Sequence, residues 1–161
     1  MKKIVVLFFF VVLLIGHENF IFASYESQEV SEEEIQQHLQ EIFDERIDVW
    51  NDFMVGKYSS LEAIRRDLED YTTEPLLAID ISTYESIMNH PSSYEIIKEV
   101  NVMHCETIKA NGTKGTYLVR IFWGIQSYDE FTYEEVEYIV EMLHIKNKWM
   151  LSDYQLNIEP L

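Results

Sequence analysis

Residues 96–126 read IIKEVNVMHCETIKANGTKGTYLVRIFWGIQ, and this stretch decides the fold. Its first part, Ile96 to Ile108, is rich in β-branched residues, which favour extended chain. From Tyr117 to Ile125 apolar residues occupy every second position, which puts them on one face of a strand. Asn111-Gly112 stands between the two patterns and is typical of a tight hairpin turn. The stretch therefore predicts two antiparallel strands.

Two further strand patterns follow this hairpin. A loop is expected at 127–131, after which residues 133–145 alternate between apolar and acidic positions. Asn147 marks another tight turn, and residues 149–156 provide the last strand. The inward positions of the third strand are expected to be Val136, Tyr138, Val140 and Met142. Four strands joined by short connections predict an antiparallel meander.

The half of the chain before the hairpin carries helix patterns. Ser31-Glu32-Glu33-Glu34 is a capping box, in which the first and last side chains satisfy backbone N–H groups at the helix start. Apolar residues recur at a spacing of three to four from Ile35 to Met54. This pattern predicts a long amphipathic helix that ends near Gly56, since glycine is favoured just past a helix end.

More helix starts follow this first helix. Ser59-Ser60-Leu61-Glu62 predicts a second helix that continues to about Tyr71. Thr73-Glu74-Pro75 predicts a third start, because proline is favoured in the first helical turn. Residues 76–81 fit either a helix or a short strand, and Ser82-Thr83-Tyr84-Glu85 has the form of yet another cap.

Helices followed by strands, without alternation between the two, predict an α+β fold. We expect the N-terminal helices to pack in a curved antiparallel sheet of at least four strands. In this arrangement the sheet wraps the first helix, and the face from Tyr117 to Ile125 points toward Trp50 and Phe53.

The first residues have the pattern of an export signal. Met1-Lys2-Lys3 is basic, and the apolar run from Ile4 to Ile15 is shorter than the ~20 residues that span a bilayer as a helix. We expect a signal peptide at 1–23, a flexible linker at 24–30 and one cone-shaped α+β domain at 31–161. An uncleaved anchor through residues 4–22 is the alternative. Either way, the protein is expected to be secreted or associated with the cell envelope.

The composition limits the partners. The formal net charge of −17 repels phosphate backbones, so nucleic acid is not an expected partner. We expect an unknown protein or small-molecule ligand, and membrane contact only through residues 4–22 if they are uncleaved. A homodimer through the sheet is a further option. No cofactor is expected.

Cys105 is the single cysteine of the chain, so an intramolecular disulfide is excluded. It lies in the predicted first strand, next to His104. Neighbouring residues of a strand point to opposite faces. We therefore expect a buried, unreactive Cys105 and a His104 on the other face.

One sequence near the C-terminus carries a family resemblance. It reads Asn147-Lys148-Trp149-Met150-Leu151-Ser152-Asp153-Tyr154 and follows helices and strands in a typical order. Over residues 31–158 the chain resembles the nuclear transport factor 2-like superfamily, which has a cystatin-like α+β cone, and in particular its exported bacterial members. The resemblance implies a pocket at the open end of a cone. Some members use this pocket as isomerases, cyclases or dehydratases, and many exported members use it for binding or assembly.

Catalytic and metal-ligating sets do not emerge from the sequence. No catalytic motif of the superfamily matches residue by residue, and the acidic repeat Asp44, Asp48, Asp52 is best explained as a solvated helix face. His104 and Asp153 could approach each other across a curved sheet, but a half-buried or rim His104 and a solvated Asp153 at a strand end are the preferred interpretation. We therefore predict neither catalytic residues nor a metal site. The pocket candidates are Trp50, Tyr71, Tyr84, His104 and Trp123.

These observations favour an exported, non-enzymatic binding or interaction module. A small-molecule isomerase, cyclase or dehydratase of the same fold is one alternative, and it requires His104 or Asp153 inside a cavity. A subunit of an envelope secretion or conjugation complex, tethered by residues 4–22, is another alternative.

Overall fold

A computed structural model describes residues 30–90 and 95–157, where three helices precede four strands. The predicted α+β fold is confirmed. The predicted signal peptide and the alternative anchor lie outside the described residues, as does most of the predicted linker. No helix in the described ranges is long and apolar enough to cross a membrane. The elements are α1 (Glu32–Met54), α2 (Leu61–Leu68), α3 (Leu76–Asn89), β1 (Ile96–Ala110), β2 (Lys114–Gln126), β3 (Phe131–Ile145) and β4 (Lys148–Leu156).

Helix α1 begins and ends where its sequence predicts. The Ser31 hydroxyl accepts a hydrogen bond from the Glu34 backbone N–H, and the Glu34 carboxylate accepts one from the Ser31 N–H at 3.0 Å. This is the predicted capping box. The helix ends at Met54, two residues before Gly56, whose φ of +78° lies in the left-handed region.

Helix α3 settles one open alternative and corrects one prediction. Residues 76–81 are helical rather than strand, and Ser82-Thr83-Tyr84-Glu85 lies inside the same helix instead of capping a new one. The Thr83 hydroxyl donates to the Ile79 carbonyl at 2.9 Å, so it is satisfied within the helix. Continuing the helix also buries Tyr84, whose ring packs edge-on against Phe53 at 4.8 Å. Burial of this ring therefore outweighs the local capping signal.

The four strands form one antiparallel sheet in the order β1-β2-β3-β4, as predicted. At the first turn the Asn111 side chain accepts hydrogen bonds from the Thr113 and Lys114 N–H groups, each at 2.9 Å. At the last turn Lys146 and Asn147 both adopt positive φ, 51° and 64°. A two-residue hairpin with both central residues in this region matches the twist of the strands.

The core forms between α1 and the inner face of the sheet. The face predicted on β2 is confirmed, because Tyr117, Val119, Ile121 and Trp123 are buried there. The Phe43 ring of α1 meets the Trp123 ring edge-on at 5.8 Å. A second cluster joins the three helices, with buried members Val49, Ile64, Leu68, Leu77 and Tyr84.

The expected place of Phe53 needs correction. It packs with the second, all-helical cluster rather than against the sheet. Trp50 lies between the two environments, since its ring is 5.9 Å from Tyr84 and it shares a cavity with Trp123. The last turn of α1 therefore directs Phe53 toward α3, while Asn51 of the same turn contacts β1.

Uncharged polar side chains of α1 close the outer edge of β1. The Gln40 amide accepts from the Val102 N–H at 2.7 Å and donates to the Val100 carbonyl at 3.1 Å. Asn51 pairs in the same two-sided way with the Ile97 N–H at 3.0 Å and carbonyl at 2.8 Å. Unpaired backbone groups at a sheet edge invite pairing with other chains. In this protein the helix side chains occupy those groups, and we call Gln40 and Asn51 the amide clamp.

Cys105 is buried on the inner face of β1, as predicted. Burial raises the pKa of its thiol to about 12, and the carboxylate of Glu32 acts in the same direction. A thiol that stays protonated is a poor nucleophile. Cys105 is therefore a small apolar core residue.

Candidate functional site

A cavity of about 590 Å³ lies between α1, α3 and the ends of the strands. Six aromatic rings line it, and they come from α1, α3, β2, β3 and β4. The rings belong to Phe43, Trp50, Tyr84, Trp123, Tyr138 and Tyr154. Ligand sites of proteins are concave and mostly apolar, with a few placed polar groups. The six aromatic rings give this cavity the mostly apolar lining of such a site.

Three of the five predicted pocket residues line this cavity, namely Trp50, Tyr84 and Trp123. Tyr71 does not. Its ring packs against the main core, and the Lys148 Nζ sits 4.7 Å from the ring centre. His104 also does not line the cavity, because it is exposed on β1 opposite Arg120 of β2. The neighbouring Cys105 points inward, so the predicted alternation of the two residues is confirmed.

A partly buried ion pair forms part of the cavity wall. The Arg46 Nη2 of α1 lies 3.0 Å from the Asp80 Oδ1 of α3, and the two side chains are only 12% and 14% exposed. The Arg46 guanidinium also covers the Tyr154 ring, 5.2 Å from its centre. Burial raises the pKa of the Asp80 carboxyl, while the positive charge of Arg46 opposes this effect.

One guanidinium nitrogen of Arg46 and one carboxylate oxygen of Asp80 have no hydrogen-bond partner within the ranges described. Arg46 Nη1 and Asp80 Oδ2 are both buried and unbonded. A buried polar atom without a partner costs roughly 1–3 kcal/mol. Such atoms are rare in folded proteins, and these two lie side by side at one cavity. The ion pair is therefore incompletely satisfied by the residues around it.

The indole of Trp123 adds a third polar atom to this wall. Its Nε1 is buried and makes no well-formed hydrogen bond to any described residue. The Trp123 N–H lies close to the Tyr138 hydroxyl and favours the ionised form of that phenol. Burial is the larger effect and raises the Tyr138 pKa. Burial also raises the pKa of Tyr84. Both phenols are therefore neutral at physiological pH and can act as hydrogen-bond donors.

Arg46 and Asp80 were not identified from the sequence, although each left a signal. Phe43, Arg46 and Trp50 are spaced three and four residues apart, which places the arginine on the same helix face as two aromatic residues. Asp80 is the single charge in the apolar run Leu76-Leu77-Ala78-Ile79-Asp80-Ile81. A lone charge on a buried helix face indicates a partner of opposite sign, but the sequence does not show which element provides it.

His104 and Asp153 do not form a catalytic pair. They lie on the two outer strands of the sheet, β1 and β4, so two strands separate them. Asp153 does line the cavity, where the Gln155 side-chain amide donates to its Oδ2 at 2.8 Å. No histidine of the described segments lines the cavity.

The described residues contain no cluster of three or more His, Cys, Asp or Glu side chains that could hold a metal ion. His38 of α1 uses its Nε2 to contact the Trp149 carbonyl at 2.7 Å, and its Nδ1 lies 3.5 Å from Glu41. Asp44 and Asp48 are exposed on the outer face of the helix.

Comparison with known proteins gives a distant structural similarity. No family model matches the chain, and no curated protein matches it. Among solved structures, the chain is similar to the intermembrane space region of the chloroplast protein ARC6. The similarity covers 75% of this chain and 95% of that chain, with 12% sequence identity and a TM-score of 0.46. At these values it carries no information on ligand or activity.

Proposed function

We propose that this protein is an exported, non-enzymatic binding module that holds a small, mostly apolar ligand in the cavity between α1, α3 and the sheet. One observation carries the proposal: an aromatic cavity of about 590 Å³ contains a partly buried ion pair whose remaining polar atoms have no partner among the described residues. The volume falls within the ~300–1,000 Å³ of typical ligand pockets.

The polar groups of the cavity favour a neutral or cationic ligand. Arg46 and Asp80 neutralise each other, and Asp153 adds one negative charge at the wall. The chain as a whole carries −17, which repels anions at longer range. An anionic ligand could accept from the unbonded Arg46 Nη1, but the Asp80 and Asp153 carboxylates at the same wall would repel it.

The resemblance to the nuclear transport factor 2-like superfamily supports this proposal. The expected order of elements is present, with a long first helix followed by shorter helices and a four-stranded antiparallel meander. The resemblance implies a pocket at the open end of a cone, and we assign the cavity between α1, α3 and the sheet to that pocket. The basic and apolar residues 1–15 support export, with residues 1–23 as a cleaved signal peptide.

A catalytic role for this cavity is less well supported. Enolate chemistry needs a free base and a donor within hydrogen-bond reach of the substrate. The Asp80 carboxylate is held by Arg46, and the Asp153 carboxylate accepts from Gln155. The donors are present in Tyr84 and Tyr138, but both carboxylates of the described cavity wall already accept hydrogen bonds from neighbouring side chains.

The binding proposal is tested with naphthalene-sized probes of different charge. We expect 2-naphthol and 2-naphthylmethylamine to bind and to change the tryptophan fluorescence, and 2-naphthoate to bind more weakly. Ile79→Trp fills the cavity from a position that is 54% exposed, so it should fold normally and weaken 2-naphthol at least about tenfold, which corresponds to about 1.4 kcal/mol.

Ile108→Trp is the matched control, because Ile108 is 55% exposed on β1 and does not line the cavity. It should leave the affinity for 2-naphthol unchanged. Equal effects of the two substitutions, or no binding of either favoured probe, would exclude the cavity as the ligand site. N-terminal sequencing of the exported protein separates a cleaved module from one tethered by residues 4–22.

A further inference from the structure

The outward edge of β4 is occupied along only part of its length. At Leu151 the backbone N–H donates to the Tyr71 carbonyl at 3.0 Å, and the carbonyl accepts from the Thr73 N–H at 2.9 Å. At Trp149 the carbonyl contacts His38. The segment 71–73 thus adds to the edge of β4 as a very short parallel strand, centred on the bridge between Thr72 and Leu151.

Beyond Leu151 a bulge changes which residues face outward. The register shifts where Met142 pairs with Leu151 and Glu141 pairs with Asp153, so Ser152 is the extra residue. After the bulge the Asn157 N–H donates to the Glu137 carbonyl at 2.9 Å, which fixes the alternation.

Along an antiparallel strand, residues alternate between two kinds. In one kind the backbone N–H and carbonyl bond to the paired strand, and in the next they point away from it. Asn157 bonds to β3. Gln155 and Asp153 are alternate residues before it in the same register, so their backbone groups also bond to β3. Tyr154 and Leu156 therefore direct their N–H and carbonyl groups away from β3. No described residue forms a backbone hydrogen bond with these four groups.

This open part of the edge borders the aromatic cavity. All four residues from Asp153 to Leu156 line the cavity. Successive side chains of a strand point to opposite faces, so four in a row can border one cavity only if the strand edge itself faces it. The cavity thus offers aromatic walls and, along one side, a row of backbone donors and acceptors that no residue in 30–90 or 95–157 occupies.

We propose that the ligand is an extended peptide segment that adds to β4 along Tyr154 and Leu156 and places one apolar side chain in the aromatic cavity. This rests on the proposed function, because it names the ligand class of the same cavity. Two outward residues along a strand present their groups ~6.6–6.8 Å apart, the repeat of a second strand. Strand addition of this kind gives affinity through the backbone and specificity through side-chain pockets.

The molecule's own structure and charge specify the partner further. The segment 71–73 shows that this edge accepts a strand at Leu151, one bulge away from the free groups. The net charge of −17 and Asp153 at the edge favour basic residues in the peptide. The same negative charge opposes the binding of a second copy of this chain, because that copy would bring an equal negative charge to the edge.

The test uses an acetylated and amidated pentapeptide in which a central phenylalanine is flanked on each side by threonine and then lysine. Two N-methylated forms are compared with it, one methylated at phenylalanine and the other at both threonines. Only alternate N–H groups of an added strand face its neighbour. We expect one form to lose at least about tenfold in affinity while the other stays within about threefold. Loss in both forms, or in neither, overturns the proposal.

Leu156→Pro tests the same contact from the protein side. It removes an N–H that faces away from β3, a position at which edge strands tolerate proline. The peptide should bind this variant at least about tenfold more weakly than it binds Leu156→Ala. Leu156→Ala is the matched control, because it keeps the N–H and removes a side chain that is largely exposed.

The outcomes separate this inference from the proposed function. If 2-naphthol binds and the pentapeptide does not, the peptide is excluded and the cavity remains a small-molecule site. If Leu156→Pro and Leu156→Ala bind the peptide equally, strand addition is overturned. A concentration-dependent dimer that Leu156→Pro abolishes, measured by sedimentation, would assign the edge to a second copy and also overturn the proposal.

Discussion

Arg46 and Asp80, 34 residues apart in the chain, meet at 3.0 Å and join α1 to α3 across one wall of the cavity. Removing one member of a buried pair leaves an uncompensated charge and typically costs ~3–5 kcal/mol. We expect Asp80→Ala to lower the free energy of unfolding by ~3 kcal/mol or more, since it leaves the Arg46 guanidinium without its acceptor. The double variant Arg46→Met/Asp80→Leu should recover most of this loss. Urea unfolding of both variants measures the difference, and additive losses would contradict it.

The same pair predicts a pH dependence. Burial raises the Asp80 pKa, so between the unfolded and the folded pKa the folded state binds the extra proton. The stability that Asp80 contributes is therefore present at low pH and is lost as the pH rises through its folded pKa. We expect the stability of the double variant, measured relative to the natural chain, to be highest at neutral pH and lower in acid. Unfolding curves from pH 3 to pH 7 check the sign.

Gly115 should not tolerate a side chain. A Cβ at this buried position would collide with the ring and hydroxyl of Tyr117, which is itself buried and cannot move aside. We expect Gly115→Ala to destabilise the protein by about 1–3 kcal/mol, the usual cost of overpacking. Gly112→Ala is the control, because nothing lies within 4 Å of its added Cβ. It should change the melting temperature little, and equal effects would contradict the prediction.

Gln40 should protect a specific amide. Its side chain accepts from the Val102 N–H and donates to the Val100 carbonyl. Gln40→Ala leaves both backbone groups without this partner, so we expect a loss of roughly 1–3 kcal/mol and faster hydrogen exchange at Val102. Gln37→Ala, an exposed position on the same helix, is the matched control. Unchanged exchange at Val102 in Gln40→Ala would show that the clamp does not hold the edge.

Cys105 should be protected from thiol reagents by folding. Its pKa of about 12 leaves almost no thiolate at pH 8, whereas an unperturbed thiol with a pKa of ~8.5 is substantially ionised there. We expect folded protein to react with a disulfide reagent at less than about 1% of the rate of unfolded protein. A fast reaction in the folded state would place the thiol at the surface.

The sequence patterns were sufficient for the order and type of the elements. Alternation from Tyr117 to Ile125 identified the buried face of β2, and Asn111 and Asn147 identified the turns, because these signals are local. The false cap at residues 82–85 shows the limit of local signals, since the burial of Tyr84 depends on α1.

The candidate site was only partly predictable for the same reason. Trp50 and Trp123 were found because large aromatic residues at core positions tend to line cavities. Tyr71 belongs instead to the region beside Lys148, because the chain after α2 runs along β4, and composition does not reveal that path. The Arg46–Asp80 pair required knowledge that α1 and α3 are neighbours.

The chemical nature of the amide clamp has a consequence for behaviour under stress. Gln40 and Asn51 do not titrate, and their short hydrogen bonds to β1 do not depend on ionic strength. Many proteins guard a sheet edge with charged side chains, whose protection weakens when acid neutralises carboxylates or when salt screens them. In a protein with 29 carboxylate side chains, Gln40 and Asn51 will keep their hydrogen bonds to β1 in acidic or saline surroundings that erase most of its surface charge.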